Sequence, residues 1–178
     1  MTDPMSDDRY PIGKFTFAGP LNADQRAAAI EVIENTPLEL RKALRGLADE
    51  QLATPYRDGG WTVRQLVHHI ADSHINAYCR FRLTLTEDNP TIKPYEEQLW
   101  AELADGAAAP LGLSLAILDA LHARLSILLH SLTDDQFARP LTHPSSGQHD
   151  LHWLLAVYAW HGPHHIAHIT ALREARGW

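Results

Sequence analysis

The chain has 178 residues, 45% of them hydrophobic and 21% charged, a balance that supports a full-sized core and excludes an intrinsically disordered protein. Twenty-two acidic residues against 15 basic ones leave a formal charge of −7, and no stripe of Lys and Arg is present to neutralise phosphates, which argues against a nucleic-acid partner. The longest strongly apolar run, residues 153–160, is short of the roughly 20 that cross a bilayer, the N-terminus lacks a signal-peptide pattern, and the single Cys79 excludes an internal disulfide and a thiolate metal cage, so a cytoplasmic protein with no membrane partner is expected.

Residues 1–20 carry Pro4, Pro11 and Pro20 with Gly13 and Gly19, a composition that cannot sustain a helix; they read as an extended, non-catalytic arm lying on a domain of residues 21–178. The first helix should begin after Asn22, with Gln25 at capping-box spacing, and run towards Leu47 with a bend or split at Pro37. The turn-rich residues 54–60 lead through Trp61 to Thr62, an N-cap with Gln65 three residues on, and to a second helix over about 62–87. Asn89-Pro90 ends it. Residues 95–103 read as a short crossover helix and 104–112 as a loose stretch. A third long helix fits 113–132, a single helical turn 134–137, and a loop 140–149; Asp150 then caps a last helix that runs to about Arg176 and stops at Gly177. No alternation of polar and apolar residues is long enough for a strand, so the pattern is an all-α four-helix bundle with an extended N-terminal arm.

Histidine is the anomaly: of 12 in the chain, three fall within residues 68–74 and four within 161–168. At 100° per residue the apolar stripe of the second helix runs through Leu66, Ile70, Ala77 and Phe81. His69 borders that stripe, with Ser73, Asn76 and Arg80 along the same edge, whereas His68 falls near the opposite side and reads as solvated. On the last helix His161, His165 and His168 share a face with Leu154, Val157 and Leu172, with His164 at the edge of that sector and His152 opposite. Two imidazoles one turn apart have Cβ atoms about 6 Å apart and can converge on one divalent cation, a third from a neighbouring helix completing three corners of a tetrahedron. The expected ligands are His69, His161 and His165. Burying several imidazoles without partners costs roughly 1–3 kcal/mol each, and one metal satisfies them together. Zinc is the default ion for this donor set; nickel, iron and manganese are compatible with it. Pro163 deprives the Ala159 carbonyl of its helical partner and predicts a kink, and a full break there would transfer the pair to His164 and His168.

Tyr10-Pro11-Ile12-Gly13, the run from Tyr56 through Trp61-Thr62-Val63-Arg64-Gln65 to the histidines after it, and Trp160-His161 followed by residues 164–170 carry a resemblance over nearly the whole length. On these motifs the chain resembles the YfiT-like branch of the DinB superfamily. The resemblance implies a four-helix bundle, a homodimer, and a divalent metal on His69, His161 and His165; Pro163 departs from the pattern. YfiT-like members are described as metal-dependent hydrolases, some are similar to bacillithiol-dependent S-transferases, and a related branch contains mycothiol-dependent isomerases.

Three neutral histidines leave a metal its full charge and an open position, the arrangement of a catalytic site. The leading expectation is activation of a small, bacillithiol-like thiol for transfer to an electrophilic small molecule, with Arg57, Arg64 and Arg80 as anchors for the thiol's carboxylates. Metal-activated water is the rival, with Asp72, Ser73, Asn76 and His168 as the nearest acid–base candidates by helical position. A non-catalytic metal-binding stress protein is the third reading. Cys79, mid-helix beside Arg80, reads as inert packing.

Overall fold

Capping chemistry decides where the helices start. In the computed structural model, which describes residues 9–178, Asn22 accepts from the Gln25 amide while Gln25 accepts from the Asn22 amide, both at 2.9 Å, opening α1 (Ala23–Leu44). After a short α2 (Asp49–Leu52), Thr62 and Gln65 repeat the device at the head of α3 (Val63–Thr86). The crossover holds α4 (Glu97–Ala101) and α5 (Ala104–Ala108) before α6 (Leu111–His130). Thr133 caps α7 (Asp134–Phe137), Asp150 caps α8 (Leu151–Arg176), and Gly177 closes α8 at φ 68°.

Cross-helix contacts fix the topology. α1 and α8 run parallel, since the Leu21 amide meets His152 at one end and Arg173 donates to the Ala43 carbonyl at the other. α3 and α6 are also parallel, through His68 with Ser114 and His74 with His122. The pairs meet antiparallel, α6 against α1 through Ser126 on Glu34 and Asp119 on Arg41, and α3 against α8 through Arg80 on Tyr158 and His69 beside His165. Parallel neighbours cannot be joined by a tight turn, which is why α4 and α5 occupy the α3–α6 connection.

Two apolar cores fill the bundle, one around Ile33, Phe81, Leu125 and Leu154 and the other around Leu40, Leu66, Leu118 and Ile169. Between them lies a polar layer that includes Thr36, His74, His122 and His161. α1 and α8 are in tight contact at this level, where a Cβ on Gly162 would stand 2.7 Å from Thr36 Cγ2, so only glycine fits without movement.

Several expectations are corrected. Residues 140–149 form a hairpin of β1 (Pro140–His143) and β2 (Gly147–Asp150) rather than a loop, with Pro140 opposite Asp150. Residues 104–108 are helical, and α6 begins two residues earlier than the periodicity suggests. Neither proline divides its helix: α1 continues through Pro37 and α8 through Pro163. By length and composition α6 is apolar enough to cross a membrane, although Asp119, His122 and Arg124 interrupt it; it packs here along α1 and α3. His68 is buried rather than solvated, because α5 and the start of α6 cover it with the Ala109 carbonyl and the Ser114 hydroxyl. His152 is buried too, accepting from the Leu21 amide. Cys79 is exposed, not packed. Residues 1–8 of the arm lie outside the described residues; the remainder is held to α8 by the Trp160 indole donating to the Gly13 carbonyl and by Phe15 against Trp153 and Trp160.

Candidate metal centre

α3 delivers His69 and α8 delivers His161 and His165 to one point. Their ring centroids are 4.4–5.3 Å apart, and one nitrogen from each lies within 4.8 Å of the others. His161 Nε2 stands 3.1 Å from His165 Nε2 and 3.3 Å from the Ser73 hydroxyl. Nitrogens bound to one tetrahedral zinc at 2.0–2.1 Å sit about 3.3 Å apart, so this spacing fits such an ion. Burial, reinforced by His164, holds His69 down at about 4, and burial with the neighbouring imidazoles holds His161 and His165 well below the ordinary histidine range. All three rings therefore offer lone pairs at neutral pH. His165 Nδ1 is buried with no partner among the described residues, as is His164 Nδ1.

A second group, His164, His165 and His168, meets the same distance condition. Its outer members use their faces differently. His164 stacks on Trp160 with centroids 4.2 Å apart, and His168 lies 4.4 Å from Tyr56. Burial, then His164 and Arg57, brings His168 to about 4.

The five rings open into a cavity of about 370 Å³ whose other walls include Tyr10, Tyr56, Arg57, Trp61, Glu97 and Gln98. Gly60 makes its near edge possible, since a Cβ there would meet Arg57 Cγ at 2.8 Å. Trp61 packs its ring 4.5 Å from His69 and donates to Gln98 at 2.9 Å, which ties α4 to the head of α3. Glu97 is the carboxylate on the wall among the described residues, and burial followed by the nearby Glu96 raises its carboxyl above the ordinary range.

Of the acid–base and anchor candidates singled out from sequence, Arg57 and His168 reach this cavity and Ser73 stands against His161. Arg64 turns away to the Ala109 carbonyl and Asp49. Arg80 is engaged with Tyr158 and the Lys93 carbonyl. Asp72 faces towards Asp105, where burial first and that charge second raise it to about 6. Asn76 bonds back to the Asp72 carbonyl and borders a separate groove with Tyr95 and Trp100. Sequence reasoning missed Glu97, Gln98 and the arm's Tyr10, whose ring is 6.1 Å from His164, so the arm does contribute a wall. A five-residue helix has too little periodicity to show which way Glu97 faces.

Residues 32–169 match the DinB superfamily. Proteins of Bacillus cereus (strain B4264) and Bacillus mycoides (strain KBAB4), both carrying the name of metal-dependent hydrolases, are 51% identical over 174 residues, covering 98% of this chain and 100% of theirs. The fold also matches the solved structure of YfiT from Bacillus subtilis, described as a metal-dependent hydrolase with an unusual four-helix bundle topology, at a TM-score of 0.94 and 48% identity over 96% of this chain and 98% of that one.

Proposed function

The chain belongs to the DinB superfamily, and from that premise we propose that it is a metal-dependent hydrolase of a small molecule, with one divalent ion, zinc by ligand type, on His69, His161 and His165 and with Glu97 as general base. The observation that carries the reading is Glu97 on the wall of the cavity shared by the three histidines. A divalent ion held there supplies Lewis acidity, bringing the pKa of adjacent water towards ~7. Glu97 takes the proton from the attacking water and returns it to the leaving group; its burial raises its proton affinity towards the working pH. Trp61 and Gln98 keep α4 in place beneath it. Tyr10, Tyr56 and Trp160 provide aromatic surface on the cavity wall, and Arg57 offers a cation to an anionic group on the substrate. His161 is favoured as a ligand over His164 and His168 because its second nitrogen is held by His74, whereas those two rings lie against Trp160 and Tyr56.

Thiol transfer is the second reading, favoured by Arg57 at a cavity large enough for a low-molecular-weight thiol, and it needs no protein base. Zinc-loaded, untagged protein and its Glu97→Gln variant, assayed on a panel of esters and amides and on a thiol with a haloalkane electrophile, separate the two. Hydrolysis that falls roughly 10²–10⁴-fold in Glu97→Gln with zinc content unchanged is expected. Thiol consumption indifferent to Glu97 establishes the transferase instead, and loss of thermal stability on chelation with no turnover of either kind establishes a structural metal.

A further inference from the structure

An α-helical carbonyl ordinarily accepts the amide hydrogen four residues on. At Ile33 that donor would be Pro37, which has no N–H, yet α1 continues unbroken across the position. The vacated carbonyl takes a donor from another helix: His122 Nδ1 on α6 lies 2.6 Å from it. From there two more contacts cross the polar layer. His122 Nε2 is 2.8 Å from His74 Nδ1 on α3, and His74 Nε2 is 3.2 Å from His161 Nδ1 on α8.

The order of hydrogens along this row follows from its first member. A carbonyl oxygen only accepts, so His122 Nδ1 must carry the hydrogen. A neutral imidazole has one N–H, which leaves His122 Nε2 as an acceptor and requires His74 Nδ1 to donate. His74 Nε2 is then the acceptor and His161 Nδ1 the donor. The His161 hydrogen is thereby committed to the core side, and its Nε2 is left bare beside His165 and Ser73. The reverse order would press two lone pairs together at Ile33 and place a hydrogen on the nitrogen facing the other histidines. His74 and His122 are 0% and 2% exposed, so water cannot break the sequence at either.

We propose that His74 and His122 are positioning residues for the metal centre: the Ile33 carbonyl freed by Pro37 sets, through these two rings, the tautomer in which His161 offers Nε2 to the cation. This rests on the metal-centre reading above. All four long helices contribute one member, so a proline in α1 governs a ligand in α8. A packing role alone would need each nitrogen to have a partner but would be indifferent to the direction of the hydrogens, and the direction can be measured.

In metal-free protein labelled with ¹⁵N at histidine, long-range ¹H–¹⁵N correlation spectra at neutral pH should show His122, His74 and His161 as Nδ1–H tautomers; finding His161 as Nε2–H overturns the proposal whatever any variant does. His122→Phe keeps the bulk of the ring and removes both donor and acceptor. It should move His161 towards Nε2–H, weaken zinc binding roughly 10–100-fold in chelator competition, and alter the visible spectrum of the cobalt form. His122→Gln, whose amide both donates and accepts, should restore most of the affinity. A folded His122→Phe protein with unchanged zinc affinity and His161 still Nδ1–H overturns the relay. Failure of the wild type itself to bind zinc sinks the metal-centre reading, a result separate from the tautomer order read in the metal-free protein.

Discussion

Burial sets the charge of these histidines and, through it, the acid response of the metal-free fold. His69 is held near 4 by burial and then His164, against an ordinary 6.5, so between those values an unfolded chain takes up a proton that the folded chain refuses. Stability is therefore complete above about 6.5 and declines as the pH falls towards 4. His168, also near 4, acts over the same window. Asp72 opposes them: raised from 3.8 to about 6, it binds its proton more tightly when folded and recovers some stability on acidification. Since His74, His161 and His165 act in the same sense as His69, the net effect should be loss. The urea midpoint of metal-free protein should fall between pH 7 and pH 5, with a shallower slope in His69→Gln; a midpoint rising on acidification would show that the carboxyls dominate. At this scale the sequence was informative where one helix's periodicity sufficed, as for His69, His161 and His165. It misplaced His68, because the cover comes from Ala109 and Ser114, more than 40 residues away, and the wheel knows nothing of a second helix.

Three helix starts were legible because Asn22, Thr62 and Asp150 satisfy orphan amides within three residues of themselves. The hairpin was not, since four-residue strands carry too few alternations to stand out and their pairing depends on residues on both sides of the turn at 144–146. The split that Pro37 could have caused does not occur, for a related reason. A proline's cost inside a helix includes a lost hydrogen bond, and at Ile33 the lost partner is replaced by His122 from another helix. The α1–α8 contact makes a sharper demand on sequence. Gly162→Ala would place a methyl 2.7 Å from Thr36 Cγ2 and 2.8 Å from its Oγ1, overpacking that should destabilise by about 1–3 kcal/mol. Thr36→Ala removes both atoms, so the double variant should be more stable than the two single effects predict, by roughly 0.5–3 kcal/mol in a denaturation cycle. Additive costs would mean that the helices part elsewhere to admit the methyl.

The whole molecule places its clustered histidines where its hydrophobic cohesion is interrupted. Two apolar cores lie above and below a layer containing Thr36, His74, His122 and His161, and the cavity opens from that layer between α3 and α8. Those helices run antiparallel and are far apart in sequence, so an ion on His69, His161 and His165 would tie together two segments separated by about 90 residues at the level with least apolar packing. Binding only to the folded state stabilises it by RT ln(1 + [L]/Kd), about 2.7 kcal/mol at a free ion concentration one hundred times Kd. For a chain of this length each kcal/mol moves the midpoint by roughly 2–4 °C, so zinc should raise Tm by on the order of 5–10 °C and a chelator should reverse it. His165→Ala removes one ligand and leaves the cores intact, so its Tm without metal should stay close to that of the metal-free wild type while most of the zinc shift disappears. Calorimetry on the two proteins, each with and without zinc, reads both quantities, and an undiminished shift in His165→Ala would move the ion to a different set of side chains.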